Sequence, residues 1–162
     1  MTDEVDRIVE AWRRERPDLD VAPLEVLSRV SRLARHLDLA RRTAFDRHDL
    51  ELWEFDVLSA LRRTGEPYQL SPGTLVQQTL VTSGTMTNRI DRLAARGLVE
   101  RRPAPGDRRG VLVRLTPAGL ERVDAALADL LGTERDLLAD LPEGDRTTLA
   151  DLLRVLVAPF DA

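Results

Sequence analysis

Residues 82–114 decide how this chain folds: TSGTMTNRIDRLAARG over 82–97, then LVERRPAPGDRRGVLVR over 98–114. Met86, Ile90 and Leu93 stand at helical spacing behind a Ser or Thr cap, and Gly97 stops the helix they predict. Residues 99–102 and 111–115 then read as paired strands, with Pro103, Pro105, Gly106 and Gly110 supplying the reversal. Eight arginines (89, 92, 96, 101, 102, 108, 109 and 114) face only Asp91, Glu100 and Asp107, so the stretch carries +5 in a chain whose net charge is −4. A basic island in an acidic protein points to a polyanionic partner.

Upstream, Ser71 and Pro72 look like the N-cap and first residue of another helix, short and ending near Leu80. Two helices at this spacing form a helix-turn-helix, and the basic hairpin makes it a winged one. The second helix then enters the major groove, while the hairpin tip reaches the backbone or the adjacent minor groove. With Met86, Ile90 and Leu93 facing inward, Asn88 and Arg92 fall near the opposite face, and Arg89 falls on the shoulder, roughly 80° from the stripe centre. Ser83, Thr85, Thr87 and Asn88 are the short polar side chains to set against base edges and phosphates, with Arg92 facing DNA beside them. Asp91 either accepts from cytosine N4 or orients a neighbouring arginine. Arg108 and Arg109, beside Gly106 and Asp107 at the wing tip, suit a narrow minor groove or phosphate. The plain alternative for them is a solvated hairpin.

The remaining periodicity is helical. Val5, Ile8, Val9 and Trp12 predict a helix over 3–14, and Leu24, Leu27, Val30 and Leu33 a long one over 23–45. Trp12 is otherwise a simple packing anchor. Residues 51–64 are apolar on several sides and predict a sandwiched helix, with Trp53, Val57 and Leu61 on one side. Asp56 lies on the shoulder of that stripe and reads as a partly buried carboxylate in need of a partner, or else as a surface residue. After Thr116-Pro117, Leu120, Val123, Leu127, Leu130 and Leu131 give one more apolar-faced helix. A last one follows Leu141-Pro142 and carries Leu149, Leu152, Leu153, Leu156 and Val157. This is more apolar helix than one winged helix buries, so a second subunit is expected.

The segments Phe55-Asp56-Val57-Leu58, Thr87-Asn88-Arg89-Ile90-Asp91-Arg92-Leu93, Gly106-Asp107-Arg108-Arg109-Gly110 and Leu115-Thr116-Pro117-Ala118-Gly119 resemble, in that order, the MarR family of transcriptional regulators. The likeness covers nearly the whole chain. It implies a mainly α fold with a small β-wing: a winged helix-turn-helix plus N- and C-terminal dimerisation helices. Residues 1–162 would form one such domain, with 49–118 as the DNA-binding lobe and 1–48 and 119–162 as the dimerisation lobe. The expected partners are double-stranded DNA bearing an inverted repeat and a second copy of the chain. Within the family, the chain resembles a urate-responsive subgroup, and most of all a branch responding to tricarboxylates such as trans-aconitate and citrate. That resemblance assigns Trp12, Asp56, Arg89 and Arg101 to a small organic anion, whose binding releases DNA. An Asp56–Arg89 pair would hold the recognition helix until the anion competes for the arginine.

Composition narrows the alternatives. The chain has no cysteine, which excludes disulfides, thiolate nucleophiles, Cys-ligated zinc and thiol-based oxidant sensing. His36 and His48 are too few and too isolated for a metal site. No glycine-rich phosphate loop or nucleophile elbow is present, so no catalytic residue, cofactor or metal is expected. Nothing resembles a signal peptide or spanning segment, and a cytoplasmic location is expected. A rival to the ligand-responsive regulator is a constitutive DNA-binding architectural protein or repressor without an effector, which would share every DNA-facing feature.

Overall fold

Short polar side chains start most of the helices by accepting from their first free amides. Asp3 caps α1 (Glu4–Glu15), Ser71 caps α4 (Pro72–Thr79), Thr82 caps α5 (Ser83–Ala95) and Thr116 caps α6 (Pro117–Leu137). The other helices are α2 (Ala22–Asp46), α3 (Leu52–Arg62) and α7 (Glu143–Val157), the last running into a 3-10 turn at Ala158–Phe160. The computed structural model describes residues 2–160, apart from the side chains of residues 107–109. It divides into two compact units, one ending at Thr43 and one beginning at Ala44.

In the first unit Val5 and Val9 of α1 are buried with Val21, and Leu24 packs against them. Arg29 donates from Nε to Asp3, at 2.8 Å, and from Nη2 to Asp6, at 2.6 Å, tying α2 to the cap of α1. Its guanidinium is the largest influence lowering the Asp3 carboxyl below the usual range, and for Asp6 it comes second to the Asp3 amide.

The second unit is built around α3. Val57, Leu58 and Leu61 are wholly buried among Leu75 of α4, Met86, Ile90 and Leu93 of α5, and Val123 and Ala126 of α6. Phe45 and Phe55 stack with ring centroids 4.0 Å apart. A three-stranded antiparallel sheet lies in the order β1 (Gln69–Leu70), β3 (Asp107–Leu115), β2 (Val99–Ala104). The architecture is therefore the expected one, mainly helical with a small β-wing.

Two local features differ from expectation. The hairpin is longer, because Pro103 lies inside β2 and does not end it. β2 is an edge strand, where a missing N–H costs no ladder bond, and the register slips between Pro103 and Ala104. The reversal shrinks to Pro105-Gly106, with Gly106 at φ +79°. β1 was not foreseen, since two residues are too few to show strand alternation; Gln69 pairs with Arg114 and Leu70 with Val113.

The Leu-Thr-Pro-Ala-Gly run has a packing role. Thr116 donates its Oγ1 proton to the Gly97 carbonyl, at 2.6 Å, and its amide to the Leu98 carbonyl, at 3.1 Å. The start of α6 is thereby pulled onto the chain between α5 and β2. A side chain on Gly119 would stand 2.0 Å from the Leu98 carbonyl oxygen, so only glycine fits.

At the other end of the chain, α7 buries none of its side chains, and Leu152, Val155, Leu156 and Phe160 are exposed. No described helix is long and apolar enough to cross a membrane.

Candidate nucleic-acid interface

One face of α5 is apolar and one is not, and this division positions the site. Met86, Ile90 and Leu93 have no exposed surface, which presses the helix against α4 and β2 in the core cluster that α3 shares. Ser83, Thr85, Thr87, Asn88 and Arg92 are consequently exposed together on the outside, as their spacing predicts. The Thr85 hydroxyl shares a hydrogen bond with that of Thr82, at 2.9 Å, and Thr87 donates to the Ser83 carbonyl, at 3.1 Å. Each threonine oxygen keeps a free lone pair for an outside donor.

Most of the described arginines here are held by carboxylates. Arg92 Nη2 donates to Glu51, at 2.7 Å, while its guanidinium lies 4.7 Å from the centroid of Trp53. The Trp53 indole N–H donates to the other oxygen of Glu51, at 2.7 Å. This indole N–H is the main cause holding the Glu51 carboxyl below its ordinary range; desolvation opposes it, and Arg92 adds to it. Arg101, at the foot of the wing, donates to Asp91 of α5, at 2.6 Å. Of the two roles open to Asp91, the geometry therefore supports holding a neighbouring arginine.

Arg96 turns inward. It donates from Nη1 to Glu54, at 2.5 Å, and from Nη2 to Asp49, at 2.6 Å, and Arg122 of α6 reaches the same Asp49 carboxylate, at 3.3 Å. Glu54 is only 1% exposed, and its carboxylate also accepts from the Glu51 amide, at 2.9 Å. The Glu54 bond is the largest influence raising the Arg96 pKa, against the opposing effect of desolvation. One of the eight arginines of the basic stretch is thus a structural residue locking the end of α5 to the start of α3. Periodicity did not single out Glu54; a carboxylate one helical turn before Leu58 was the available signal.

Asp56 is placed differently from expectation. The buried arc of α3 runs through Glu54, Phe55, Val57, Leu58 and Leu61 and leaves Trp53 on its edge. At about 100° per residue, Asp56 then lies roughly opposite the centre of that arc. It is exposed and borders a groove with Arg63, Gln78 and Thr79. Arg89, the partner expected for Asp56, lays its guanidinium 5.4 Å from the Trp53 centroid. Of the other residues assigned to an anion, Trp12 is half exposed on α1 in the first unit and Arg101 is engaged with Asp91. The side chains of Arg108 and Arg109 lie outside the described residues.

Trp53, Arg89, Arg92, Asn88, Thr85 and Gly84 border an open groove of about 570 Å³ beside the first turns of α5. Hydroxyls, an amide and guanidinium groups on one convex helix face are donors and acceptors suited to phosphates and base edges. Among the described residues no cluster of His, Asp or Glu could hold a metal ion.

The chain is similar to known proteins in sequence and in fold. The profile of the MarR family matches residues 48–110. The HTH-type transcriptional regulator PecS of Dickeya dadantii is 40% identical over 93% of this chain and 90% of its own length. The HTH-type transcriptional repressor NicR of Pseudomonas putida is 33% identical over 86% of this chain and 89% of its own. Among solved structures, Sco5413, a MarR family transcriptional regulator from Streptomyces coelicolor, superposes with a TM-score of 0.70 at 25% identity, covering 88% of this chain and 98% of that one.

Proposed function

Because this chain belongs to the MarR family of DNA-binding transcriptional regulators, which are not enzymes, we propose that it is a homodimeric repressor, released from an inverted-repeat operator by a small organic anion. The observation carrying the DNA-binding half is the division of α5 into a fully buried apolar face and an exposed face bearing Ser83, Thr85, Thr87, Asn88 and Arg92. The dimer is supported by α7, none of whose leucines and valines is fully buried within one protomer. Two such protomers related by a two-fold present their recognition helices to successive major grooves, about 34 Å apart. A protected footprint shorter than one helical turn would contradict this. So would a soluble, fully active protein truncated after Leu141.

The wing supplies Arg108 and Arg109 to the DNA backbone or minor groove. Arg108→Ala then weakens operator and unrelated duplexes alike and flattens the salt dependence by about 0.9 per lost phosphate contact. An unchanged salt slope would remove the wing from the interface.

The anion is supported by the resemblance at Trp12, Asp56, Arg89 and Arg101 to regulators answering urate or tricarboxylates, and by the preference of guanidinium groups for planar carboxylates and enolates. A ligand shifts an equilibrium only by its differential affinity, so an anion that weakens DNA binding must itself be bound more weakly by the DNA complex, by the same factor. Titrating citrate, trans-aconitate and urate into the protein, with and without operator, measures that factor. Trp12→Phe and Arg89→Ala are expected to keep some DNA binding and lose the response. Operator affinity indifferent to all three anions would favour the constitutive alternative.

A further inference from the structure

We propose that Glu51 and Trp53, which lie outside α5, are positioning residues that hold Arg92 in the pose in which it reads a base edge. This rests on the reading of α5 as the helix that enters the major groove. Arg92 is a long side chain on the outer face, and 53% of it is exposed. An exposed ion pair of this kind contributes little to stability, and an arginine that only supplied charge to a phosphate would need no fixed orientation. Yet Arg92 is held on two sides: its guanidinium carbon lies over the Trp53 ring, 4.7 Å from the centroid, and one of its N–H groups donates to Glu51.

The two holding groups are themselves held. One oxygen of Glu51 accepts from Arg92 and the other from the indole N–H of Trp53. The Glu51 backbone amide is bound by Glu54, which is buried and anchored by Arg96. Rigidity is thus passed from the interior of the second unit, through α3, to the tip of one arginine on α5. Glu51 uses a single donor of the guanidinium, and the remaining N–H groups stay available for the paired acceptors that guanine presents in the major groove. Preordered in this way, Arg92 loses little rotamer freedom when it binds.

The presence of a carboxylate in a DNA-facing groove is consistent with this role. Glu51 repels phosphate and lowers affinity for every duplex, a penalty that only a correctly read base can offset. Its removal therefore has opposite effects on the two kinds of DNA: non-specific duplex binds more tightly and operator more weakly.

The test compares dissociation constants for a duplex selected by the wild-type protein from a randomised pool and for a scrambled duplex of equal length, at one salt concentration. Arg92→Ala and Glu51→Ala are each expected to lower the ratio of the two affinities about tenfold, the scale of one bidentate base contact. The double variant is expected to go no lower, because both changes remove the same contact. Trp53→Phe, which retains a ring but not the indole N–H, should fall between wild type and Trp53→Leu. If Arg92→Ala lowers the ratio while Glu51→Ala and Trp53→Leu leave it at the wild-type value, the positioning role is refuted and the reading of α5 stands. Equal tightening of both duplexes by Glu51→Ala would make Glu51 a repelling charge only. If Arg92→Ala changes neither affinity, α5 does not read DNA through this residue, and the reading beneath the proposal fails with it.

Discussion

Replacing Gly119 by alanine adds one methyl group, and its effect follows from three distances. The new Cβ would lie 2.0 Å from the Leu98 carbonyl oxygen, 3.0 Å from its carbon and 3.3 Å from a Leu115 methyl. An ordinary carbon–oxygen contact is about 3.3 Å, so the first turn of α6 must move roughly 1.3 Å from the Leu98 backbone. The obstacle is main chain between α5 and β2 and cannot rotate away. Overpacking of this kind costs about 1–3 kcal/mol. The same movement stretches the two bonds from Thr116 to Gly97 and Leu98, each of net value about 1 kcal/mol. Together these give a loss of about 3–5 kcal/mol. Urea unfolding at fixed protomer concentration measures it, and the melting temperature should fall by about 10 °C. Gly84→Ala is the control: nothing lies within 4 Å of a Cβ there, so the same methyl should leave stability unchanged or raise it by about 0.5 kcal/mol. If Gly119→Ala cost less than about 1 kcal/mol, the close approach of α6 to Leu98 would not be a constraint of the fold.

Gly84→Ala should nevertheless weaken operator binding at least about fivefold, the low end of an overpacking cost, because the methyl enters the groove beside Asn88 and Arg92; unchanged affinity would move that groove off the DNA. Glu54→Ala leaves Arg96 facing the space of a lost carboxylate and frees the Glu51 amide, so it should destabilise by about 3 kcal/mol, whereas Glu54→Gln should cost less; equal losses for both would show that shape, not charge, matters there. The Glu51 carboxyl is held below its ordinary range mainly by the Trp53 indole and further by Arg92. Its contribution to stability is therefore complete above the ordinary carboxylate range and is lost as pH falls through the lowered value. Unfolding curves of wild type and Glu51→Gln should converge as the solution is acidified, and a gap that widens would reverse the sign of the argument.

The sequence by itself determined the helices, the presence of a wing hairpin and the outward face of α5, because those features are written within single segments. Thr82 and Thr116 cap, Gly97 and Gly106 turn, and Met86, Ile90 and Leu93 repeat at a helical period; each signal spans a few residues and needs no knowledge of what lies opposite. The rotation of α3 was different. Its apolar residues cover several sides, so periodicity alone left the arc ambiguous, and centring it on Trp53 and Val57 put Asp56 on the shoulder of the buried face. Packing among α4, α5, α6 and the sheet turned Glu54 and Leu58 to the centre and Asp56 out. The buried carboxylate of α3 is Glu54, and its partner is Arg96, 42 positions away. Glu51 and Arg92, 41 apart, meet for the same reason, as do Gly119 and the Leu98 carbonyl. A contact between segments leaves no period in either one, because its geometry is set by how their helices are rotated and spaced, and only the assembled core fixes that.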